Sequence, residues 1–431
     1  GGLGAHERSM ALYRIAEVVE EHAEELAQLE SLDTGKPVSA AREYDIPKTI
    51  EFFRYFAGWP TKIEGDTIPG PGKDRLIYTL RQPVGVVGQI LPWNFPLMLA
   101  AWKLAPALAT GCTVVVKPAE QTPLTALFFA RLLREAELLP RGVVNVITGY
   151  GPDAGAPLVS HPKVAKISFT GSREVAEQIV HAGASTLKRV TLELGGKSPN
   201  IVLPDVDPAE VAAQAASAAF LNQGENCCAG TRLFVHRDLF DTVVEGVCKH
   251  AAEFKLGPGL LAEGTAMGPL ISAGHRERVL GYVDSGRSEG GTVHVPDAPL
   301  PETGHYVAPT VLTGLSDEAV AVSEEIFGPV LVALPFDSLE EVARRANDTD
   351  YGLAAGIWTR DIAAAHRLAQ LVEAGTVWIN TYNETDPAVP FGGWKRSGYG
   401  REHGHEVLDQ YLETKSVWVN LEGGLPPRKG S

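Results

Sequence analysis

Cysteine is scarce in this sequence. Four of the 431 residues are cysteine, and no two have the CxxC spacing that zinc sites and redox motifs share. Four thiols in a chain of this length do not suggest a disulfide framework, and such a shortage is typical of a reducing compartment. We therefore expect no metal site and a cytoplasmic location.

Long apolar runs and an excess of positive charge are also absent. No apolar run reaches the roughly 18–20 residues that a membrane span needs, and the opening residues lack a signal-peptide pattern. The net charge of −15 repels nucleic-acid phosphates and anionic lipids. These features predict a soluble protein whose partners include neither nucleic acid nor membrane.

The apolar patterns that are present predict an α/β fold. Two amphipathic helices come first, at about 6–32 and 40–58, and a loop rich in glycine and proline follows at 65–74. Strands and helices then alternate, which is the order of a parallel sheet. The predicted strands lie at 76–80, 84–91, 112–116, 143–148, 164–169, 189–194, 311–315, 330–335 and 375–380, with helices at 122–136 and 172–182. The length and pattern together predict a doubly wound architecture of two or three domains.

Two segments are candidates for binding the phosphates of a dinucleotide. The glycines between Gly149 and Gly155 are one residue too far apart for GxGxxG, and a plain turn after a strand explains them better. Gly171 and Ser172 are better placed, at the end of a strand and the start of a helix. Free N–H groups at that helix N-terminus attract phosphate. An ordinary N-cap is the alternative for Ser172.

Lys117 and Glu120 follow the buried strand at 112–116. The carboxyl ends of strands in open α/β sheets are where ligands bind. A carboxylate there can bind ribose hydroxyls and would repel a 2′-phosphate, which favours NAD over NADP. A solvated pair of charges at a turn is the alternative for both residues.

A candidate nucleophile lies in the polar segment between Asn222 and Gly230, which contains Cys227 and Cys228. A thiol there is reactive if a base or a dipole helps form the thiolate, whereas free cysteines are commonly buried and inert. The candidate base is Glu193, flanked by leucines at a strand end, where partial burial would raise its pKa. A solvated surface carboxylate is its alternative.

Asn94 is a candidate oxyanion donor, because it stands between aromatic residues and prolines and an amide stabilises negative charge without carrying charge. A turn-forming asparagine is the alternative at this position. Two histidines near the end of the chain, His403 and His405, are expected to be solvated. Trp378 is expected to belong to the core.

Together these segments resemble the aldehyde dehydrogenase superfamily. The resemblance covers almost the whole chain, and 34 residues separate the candidate base from the candidate nucleophile, as in the family pattern. The matching segments, in the family's order, are Asp33-Thr-Gly-Lys-Pro37, Pro92-Trp-Asn-Phe-Pro96, Lys117-Pro-Ala-Glu120, Phe169-Thr-Gly-Ser172, Glu193-Leu-Gly-Gly-Lys197, Gly224-Glu-Asn-Cys227, Glu324-Glu-Ile-Phe-Gly-Pro329, Pro390-Phe-Gly-Gly393, Ser397-Gly-Tyr-Gly-Arg-Glu402 and Glu413-Thr-Lys-Ser-Val417. Seven ordered motifs in the body of the chain make this resemblance far more specific than any single motif.

The resemblance implies roles for individual residues. Cys227, and not Cys228, aligns as the nucleophile that forms a thiohemiacetal and then a thioester, and Glu193 aligns as the base. Asn94 and the backbone N–H of Cys227 are expected to form the oxyanion hole, and Glu402 to belong to a proton relay. Residues expected at the cofactor are Trp93, Lys117, Glu120, Gly171, Ser172, Leu194, Glu325 and Phe327. Residues expected in the substrate tunnel are Phe95, Leu99, Trp102, Leu221, Asn226, Cys228, Asn383 and Thr385.

The resemblance also implies three parts of the fold. A Rossmann-like NAD-binding domain is expected at 1–64 and 84–195, and an α/β catalytic domain at 196–407. A β-arm for oligomerisation, at 65–83 and 408–431, implies a homodimer or homotetramer. Family members usually carry further residues before the helix at position 6, so we expect that the N-terminal part of this domain is missing.

The implied function is oxidation of an aldehyde to a carboxylic acid with NAD, and NADP stays open. A broad preference for medium-chain or aromatic aldehydes is expected, with a narrow betaine-aldehyde enzyme as the alternative. A non-catalytic member, a coenzyme A-dependent or phosphorylating relative, and a thiol esterase are the rival functions. The chain departs from the pattern at Glu225, where many members have Gln; we take this change as tolerated.

Overall fold

The computed structural model describes residues 2–262 and 264–422 and has the predicted α/β class, with parallel sheets. Its helices are α1 Ala5–Glu21, α2 Ala23–Thr34, α3 Val38–Ala40, α4 Ile46–Ala57, α5 Pro96–Thr110, α6 Leu124–Glu135, α7 Ala156–Ser160, α8 Arg173–Ala184, α9 Pro208–Phe220, α10 Phe240–Glu253, α11 Ala273–Ser288, α12 Val320–Ser323, α13 Leu339–Asn347 and α14 Ile362–Leu371. Its strands are β1 Thr67–Ile68, β2 Arg75–Pro83, β3 Val86–Ile90, β4 Thr113–Lys117, β5 Val144–Val146, β6 Val164–Thr170, β7 Arg189–Glu193, β8 Pro199–Val202, β9 Arg232–His236, β10 Thr292–His294, β11 Thr310–Thr313, β12 Val330–Phe336, β13 Ala354–Trp358, β14 Thr376–Ile379, β15 Gly398–Tyr399 and β16 Leu412–Asn420.

The first parallel sheet places three of the predicted segments at one edge. Its strand order is β15-β7-β6-β3-β4-β5, and all pairs except β15 with β7 are parallel. Because parallel strands end on the same side, the residues after β3, β6 and β7 come together there. The short strand β15 reaches this sheet from the predicted second domain and pairs antiparallel with Leu192 and Glu193.

The second parallel sheet has the order β10-β11-β12-β9-β8-β13-β14, with only β10 antiparallel. Its inner strands β12 and β13 are nearly continuous runs of buried apolar residues, as expected for a sheet covered by helices on both faces. Two separate apolar clusters pack on it, one around α11 and α13 and the other around α9 and α10. Trp378 lies in this sheet and is buried, which confirms its predicted core position.

The third sheet is a small antiparallel arm of β1, β2 and β16. Strand β16 pairs with β2 over its whole length, from Leu412 with Pro83 to Asn420 with Arg75. This sheet lies within the segments 65–83 and 408–431 that were expected to form the β-arm. Residues 423–431, which complete the predicted arm, lie outside the described residues.

The long first helix predicted at 6–32 is interrupted, so that prediction was wrong in one respect. The helix stops at Glu21 and restarts at Ala23, and His22 between them has φ −110° and ψ 22°. The break lets α1 pack on α4 while α2 packs on α6. No proline or glycine marks His22, because the cause is tertiary packing and not local sequence. The second predicted helix forms, with a π-helical turn at Ala41–Asp45 just before Pro47.

Among the described residues, no helix combines the length and the apolar character that crossing a membrane requires.

Candidate active site

A cavity of about 230 Å³ is lined by segments from both parallel sheets. It gathers most of the residues singled out in the sequence: Trp93, Asn94, Phe95, Leu99, Trp102, Gly171, Ser172, Glu193, Leu194, Leu221, Asn226, Cys227, Cys228, Glu325, Phe327, Asn383 and Thr385. Three predicted residues lie elsewhere: Lys117, Glu120 and Glu402. Segments separated by hundreds of residues therefore form one compartment.

Cys227 lies on a tightly bent loop after α9. The loop bends because Asn222 and Gln223 have left-handed φ values of 52° and 59° and Gly224 has φ 69°. Cys227 remains partly exposed, whereas Cys228 is buried. A hydrogen bond with Cys228, together with burial, raises the pKa of the Cys227 thiol well above its usual value. The resting thiol is therefore protonated at neutral pH, and nucleophilic attack requires removal of that proton.

Asn94 braces the nucleophile loop from the first sheet. It follows β3, is buried, and donates from Nδ2 to the backbone carbonyl of Glu225 at 3.0 Å. Asn222 in turn donates from Nδ2 to the backbone carbonyl of Asn94 at 3.3 Å. An amide nitrogen has two hydrogens, so Asn94 keeps one N–H available while the other fixes its orientation.

Glu193 is a buried carboxyl at the end of β7. Its Oε2 has no hydrogen-bond partner among the described residues, and a Cβ on Gly392 would come within 2.7 Å of its Oε1. Burial, and then the negative charge of Glu402, raise the pKa of Glu193 well above 4.5, although Lys103 and Arg401 oppose the shift. A raised pKa brings a carboxyl toward the working range of a general base. The solvated-surface alternative for Glu193 is wrong.

Glu402 lies behind this site and not in the cavity. Its Oε1 is 2.5 Å from Nζ of Lys103 and 3.2 Å from Oγ of Ser168, and all three side chains are buried. The ion pair is close enough for its charges to act on Glu193. Its membership of a proton relay stays a prediction, because the described residues provide no chain of hydrogen bonds from Glu402 to Glu193.

One end of the cavity suits a dinucleotide phosphate. Gly171 and Ser172 stand at the N-terminus of α8, and Ser172 caps this helix by accepting from the backbone N–H of Val175 at 3.5 Å. The N-cap interpretation of Ser172 is thus confirmed, and it is compatible with phosphate binding. The remaining N–H groups and the helix dipole favour an anion at this position.

The close approach of Glu325 to the backbone at Gly195 is a second feature of this end of the cavity that fits a cofactor. A Cβ on Gly195 would lie 1.9 Å from Oε2 of Glu325, so only glycine lets that carboxylate approach the backbone here. Oε1 of Glu325 accepts from the N–H of Gly196 at 3.0 Å, and burial raises the pKa of Glu325 to about 7. Next to it, Phe327 contacts Trp93 edge to face, with ring centroids 5.3 Å apart.

Lys117 and Glu120 form a separate pair at the end of β4. Lys117 is buried, and its Nζ lies 3.3 Å from Oε2 of Glu120 and 3.0 Å from the carbonyl of Pro118. A solvated Lys117 is therefore excluded, and the carboxylate of Glu120 stays at the surface. Their place at the adenosine ribose remains a prediction.

The part of the cavity lined by the residues expected at the substrate combines aromatic and polar side chains. Phe95 and Trp102 form one wall, and Nζ of Lys36 lies 4.2 Å above the ring of Phe95. At the rim, Asn226 donates from Nδ2 to Oδ1 of Asn383 at 3.3 Å. This wall accepts flat or extended apolar groups.

Several cavity residues were missed in the sequence. They are Tyr44, Met98, His275 and Arg278, while Pro92, Thr170, Gly195 and Phe391 stood inside matching motifs without a role. His275 on α11 bonds the carbonyl of Phe327 through Nε2 at 2.7 Å, and Oη of Tyr44 lies 3.2 Å from Oγ1 of Thr385. No local pattern marks these residues, because only the tertiary fold brings α11 and the second helical segment to the cavity.

The prediction that His403 is solvated was wrong. It is 1% exposed, whereas His405 is exposed as predicted. The chain turns inward because His403 and Gly404 both have left-handed φ, 61° and 66°, and because Phe391 and Glu402 exchange backbone hydrogen bonds of 2.8 Å. These bonds draw the segment under the aromatic wall.

The sequence model of the aldehyde dehydrogenase family matches residues 2–417. The chain belongs to this family. A solved relative is the aldehyde dehydrogenase of Bacillus cereus in complex with NAD+, which is 53% identical, with a TM-score of 0.95, over 97% of this chain and 85% of that chain.

Two curated relatives are named for their substrates. The phenylacetaldehyde dehydrogenase of Pseudomonas fluorescens is 47% identical over 96% of this chain and 83% of its own length. The benzaldehyde dehydrogenase of Antirrhinum majus is 46% identical over 97% of this chain and 78% of its own length. With the family match and the NAD+ complex, they identify this protein as an aldehyde dehydrogenase that uses NAD.

Proposed function

We propose that the protein oxidises aldehydes through a covalent thioester on Cys227, with Asn94 as oxyanion donor and Glu193 as the base for hydrolysis. The observation that carries this proposal is that one cavity holds all three side chains beside an aromatic wall and a helix N-terminus. A thiol, an amide donor and a buried carboxyl are the groups that acyl chemistry needs.

The addition step uses the nucleophile loop and Asn94. Once the Cys227 thiol has released its proton to solvent water, Sγ attacks the carbonyl carbon, a C–S bond forms, and the carbonyl π electrons move to oxygen. The free N–H of Asn94 and the backbone N–H of Cys227 stabilise this oxyanion. When the C=O bond reforms, the carbon releases its hydrogen as hydride. The α8 N-terminus, Glu325, Phe327 and Trp93 would hold NAD, which when bound would supply the acceptor for that hydride.

Hydrolysis of the thioester is assigned to Glu193. The ionised carboxylate takes a proton from water, the resulting hydroxide attacks the acyl carbon, and the C–S bond breaks to release the acid and the Cys227 thiolate. Because the pKa of Glu193 is raised well above 4.5, its carboxyl ionises only at higher pH than an ordinary glutamate. Deacylation should therefore accelerate as pH rises toward the alkaline side.

A Glu193→Gln variant tests this assignment. We expect one rapid equivalent of reduced cofactor per active site, followed by turnover slower by about 100-fold or more. Intact mass spectrometry should then show an acyl group on Cys227. Unchanged steady-state turnover in this variant would remove Glu193 as the base.

For the substrate we propose medium-chain or aromatic aldehydes with broad preference. The aromatic wall of Phe95 and Trp102 supports this, as do relatives named for benzaldehyde and phenylacetaldehyde. The aromatic rings also leave betaine aldehyde as an alternative, through cation–π contact. Comparing kcat/KM for hexanal, benzaldehyde and betaine aldehyde decides between them.

We further propose that Glu120 gives NAD an advantage over NADP. It lies at the end of β4 beside Lys117, where its negative charge would repel a 2′-phosphate. The Glu120→Gln variant should lower KM for NADP more than KM for NAD. Equal changes in the two KM values would contradict this role.

The arm supports a proposal of a homodimer or homotetramer. Among the described residues, strand β16 lies at the edge of its sheet, and Trp418 on it is 62% exposed, so this edge presents an apolar surface to a second copy. Analytical ultracentrifugation of the intact protein and of a Trp418→Lys variant tests this. A monomeric intact protein would overturn it.

A further inference from the structure

His403 is a buried imidazole that the proposed chemistry does not use. Its ring lies edge-on to Trp102, with centroids 4.0 Å apart. It is also 4.5 Å from the ring of Phe52 and stacks on Phe391 at 5.7 Å. Trp102, which belongs to the aromatic wall, and Phe391 both line the cavity, so His403 lies directly behind these two rings.

The position of His403 is fixed by its surroundings. The ring hydrogen-bonds the backbone of Val389, and its Nε2 has no partner among the described residues. Burial and the nearby charge of Lys103 lower the pKa of His403 well below 6.5. The ring is therefore neutral at pH 7 and packs as a flat aromatic group.

Two neighbouring contacts join helix α5 to the segment that contains Glu402 and His403. Nζ of Lys103 lies 2.5 Å from Oε1 of Glu402. The neighbouring residues in the two segments, Trp102 and His403, are in contact through their rings. Phe391 is tied to Glu402 by two backbone hydrogen bonds of 2.8 Å. The aromatic wall is thus attached, through residues 402 and 403, to the ion pair behind Glu193.

Phe391 also borders two cavities. Together with Tyr44, Asn383 and Thr385, it lines both the active-site cavity and a second cavity of about 580 Å³, and His403 lines only the second. Without support from His403, the Phe391 ring could shift into the space that the imidazole occupies. Such a shift would widen the substrate end of the active-site cavity.

We propose that His403 is a positioning residue that sets the width of the substrate tunnel by holding Trp102 and Phe391. It thereby controls selectivity between flat aromatic aldehydes and small aliphatic ones. This inference rests on the proposed function of the tunnel. The contact that matters is the flat ring, and not the hydrogen bond to Val389.

Three variants and one control separate these contributions. His403→Ala removes both ring and hydrogen bond, His403→Phe keeps a flat ring, and His403→Asn keeps a side-chain N–H without a ring. His405→Ala is the matched control, because His405 is an exposed histidine two residues away. The readout is the ratio of kcat/KM for benzaldehyde to that for acetaldehyde.

We expect His403→Ala and His403→Asn to change this ratio by about tenfold, mainly through KM. His403→Phe should stay within about twofold of the wild-type ratio, since a flat ring still packs behind Trp102 and Phe391. His405→Ala should leave the ratio unchanged. A purely structural role would lower activity toward both aldehydes equally and leave the ratio unaltered.

A second readout does not require aldehyde oxidation. The rates at which iodoacetamide and its N-benzyl derivative alkylate Cys227, located by mass spectrometry, compare a small with a bulky reagent in the same tunnel. If the wild type oxidises no aldehyde, the proposed function fails, yet the alkylation ratio still tests the role of His403. Should the Ala variant not fold, the Asn variant carries the test. The inference is overturned if the folded Ala or Asn variants keep both wild-type ratios, or if Phe fails to preserve them.

Discussion

The two sides of the active-site cavity are built differently. On the first-sheet side, residues 91–96, 170–172 and 193–195 follow directly from regular strands, and none of them has a positive φ. On the other side, Asn222, Gln223, Phe327 and Asn383 all adopt left-handed φ between 52° and 59°. Such conformations are uncommon outside glycine and store strain at functional sites.

This difference shows which side of the cavity depends on long-range contacts for its geometry. The first side is held by strand pairing, so its groups are in place as soon as the sheet forms. The nucleophile side relies on contacts from elsewhere, such as the bond from Asn94 to the carbonyl of Glu225. A Cβ on Gly224 would lie 2.2 Å from the carbonyl oxygen of Gly328, so this loop also depends on close backbone packing.

The largest expected effect concerns the strained side. Replacing Cys227 by Ala should lower NAD reduction by about 1,000-fold or more, because the covalent route is lost. The absorbance of the reduced cofactor, with benzaldehyde or hexanal as substrate, measures this rate. Cys248→Ala is the matched control, since Cys248 lies on α10 away from the cavity, and it should retain full activity. Near wild-type turnover without the Cys227 thiol would exclude the thioester mechanism.

The next largest effect on activity is expected on the first-sheet side of the cavity. Asn94→Ala should reduce kcat by about 100-fold, because one oxyanion donor is removed. Alkylation of Cys227 by iodoacetamide should fall much less than kcat, because the packing of Gly224 against Gly328 also holds the loop. This difference separates loss of the donor from collapse of the loop. If alkylation falls with kcat, the bond from Asn94 to Glu225 shapes the nucleophile loop, and the two sides are less independent than the backbone suggests.

A smaller effect is expected at the cofactor end of the same side. Ser172→Ala should destabilise the protein by about 1 kcal/mol through loss of the α8 cap, and should also raise KM for NAD. Ser338→Ala removes the equivalent cap of α13, where Ser338 accepts from Glu341 N–H at 3.3 Å. That control should lower Tm alone. Equal KM values in both variants would mean that Ser172 serves only the helix.

The last prediction concerns the pH dependence of stability, and not activity, and it tests the environment of the loop that carries Cys227. Burial raises the pKa of Glu225 to about 8 in the folded protein, from an ordinary value of 4.5. Folding therefore favours its protonated form, and the associated stability is lost as pH rises between these values. Glu225→Gln resembles the protonated acid at all pH values. Its Tm should exceed that of the wild type increasingly from pH 5 to pH 9, and a constant difference would contradict the shifted pKa.

Sequence patterns predicted the strand-end side in detail. The strands at 164–169 and 189–194, the cap at Ser172 and the position of Glu193 all follow from local periodicity and helix-start signals, which short segments carry by themselves. Cys227, Asn94 and Glu193 were singled out by the ordered motifs, and the structure brings them to one cavity. Their catalytic roles stay predictions that the variants above test.

Other features had no local signal. The break at His22 and the approach of His275 and Tyr44 to the cavity depend on how distant helices pack. His403 shows the limit most clearly. A histidine in a polar, glycine-containing segment is expected to be solvated, yet backbone pairing between Phe391 and Glu402 buries it against Trp102.

The sequence by itself determined the α/β class, the family and the segments that carry the chemistry, because these depend on periodicity and on motifs that are contiguous in the chain. Only the tertiary structure decided which of these segments meet, how far Glu193 and Cys227 are removed from water, and what stands behind the tunnel wall. Burial and long-range contacts set pKa values and side-chain positions, and neither is a property of a short stretch of chain.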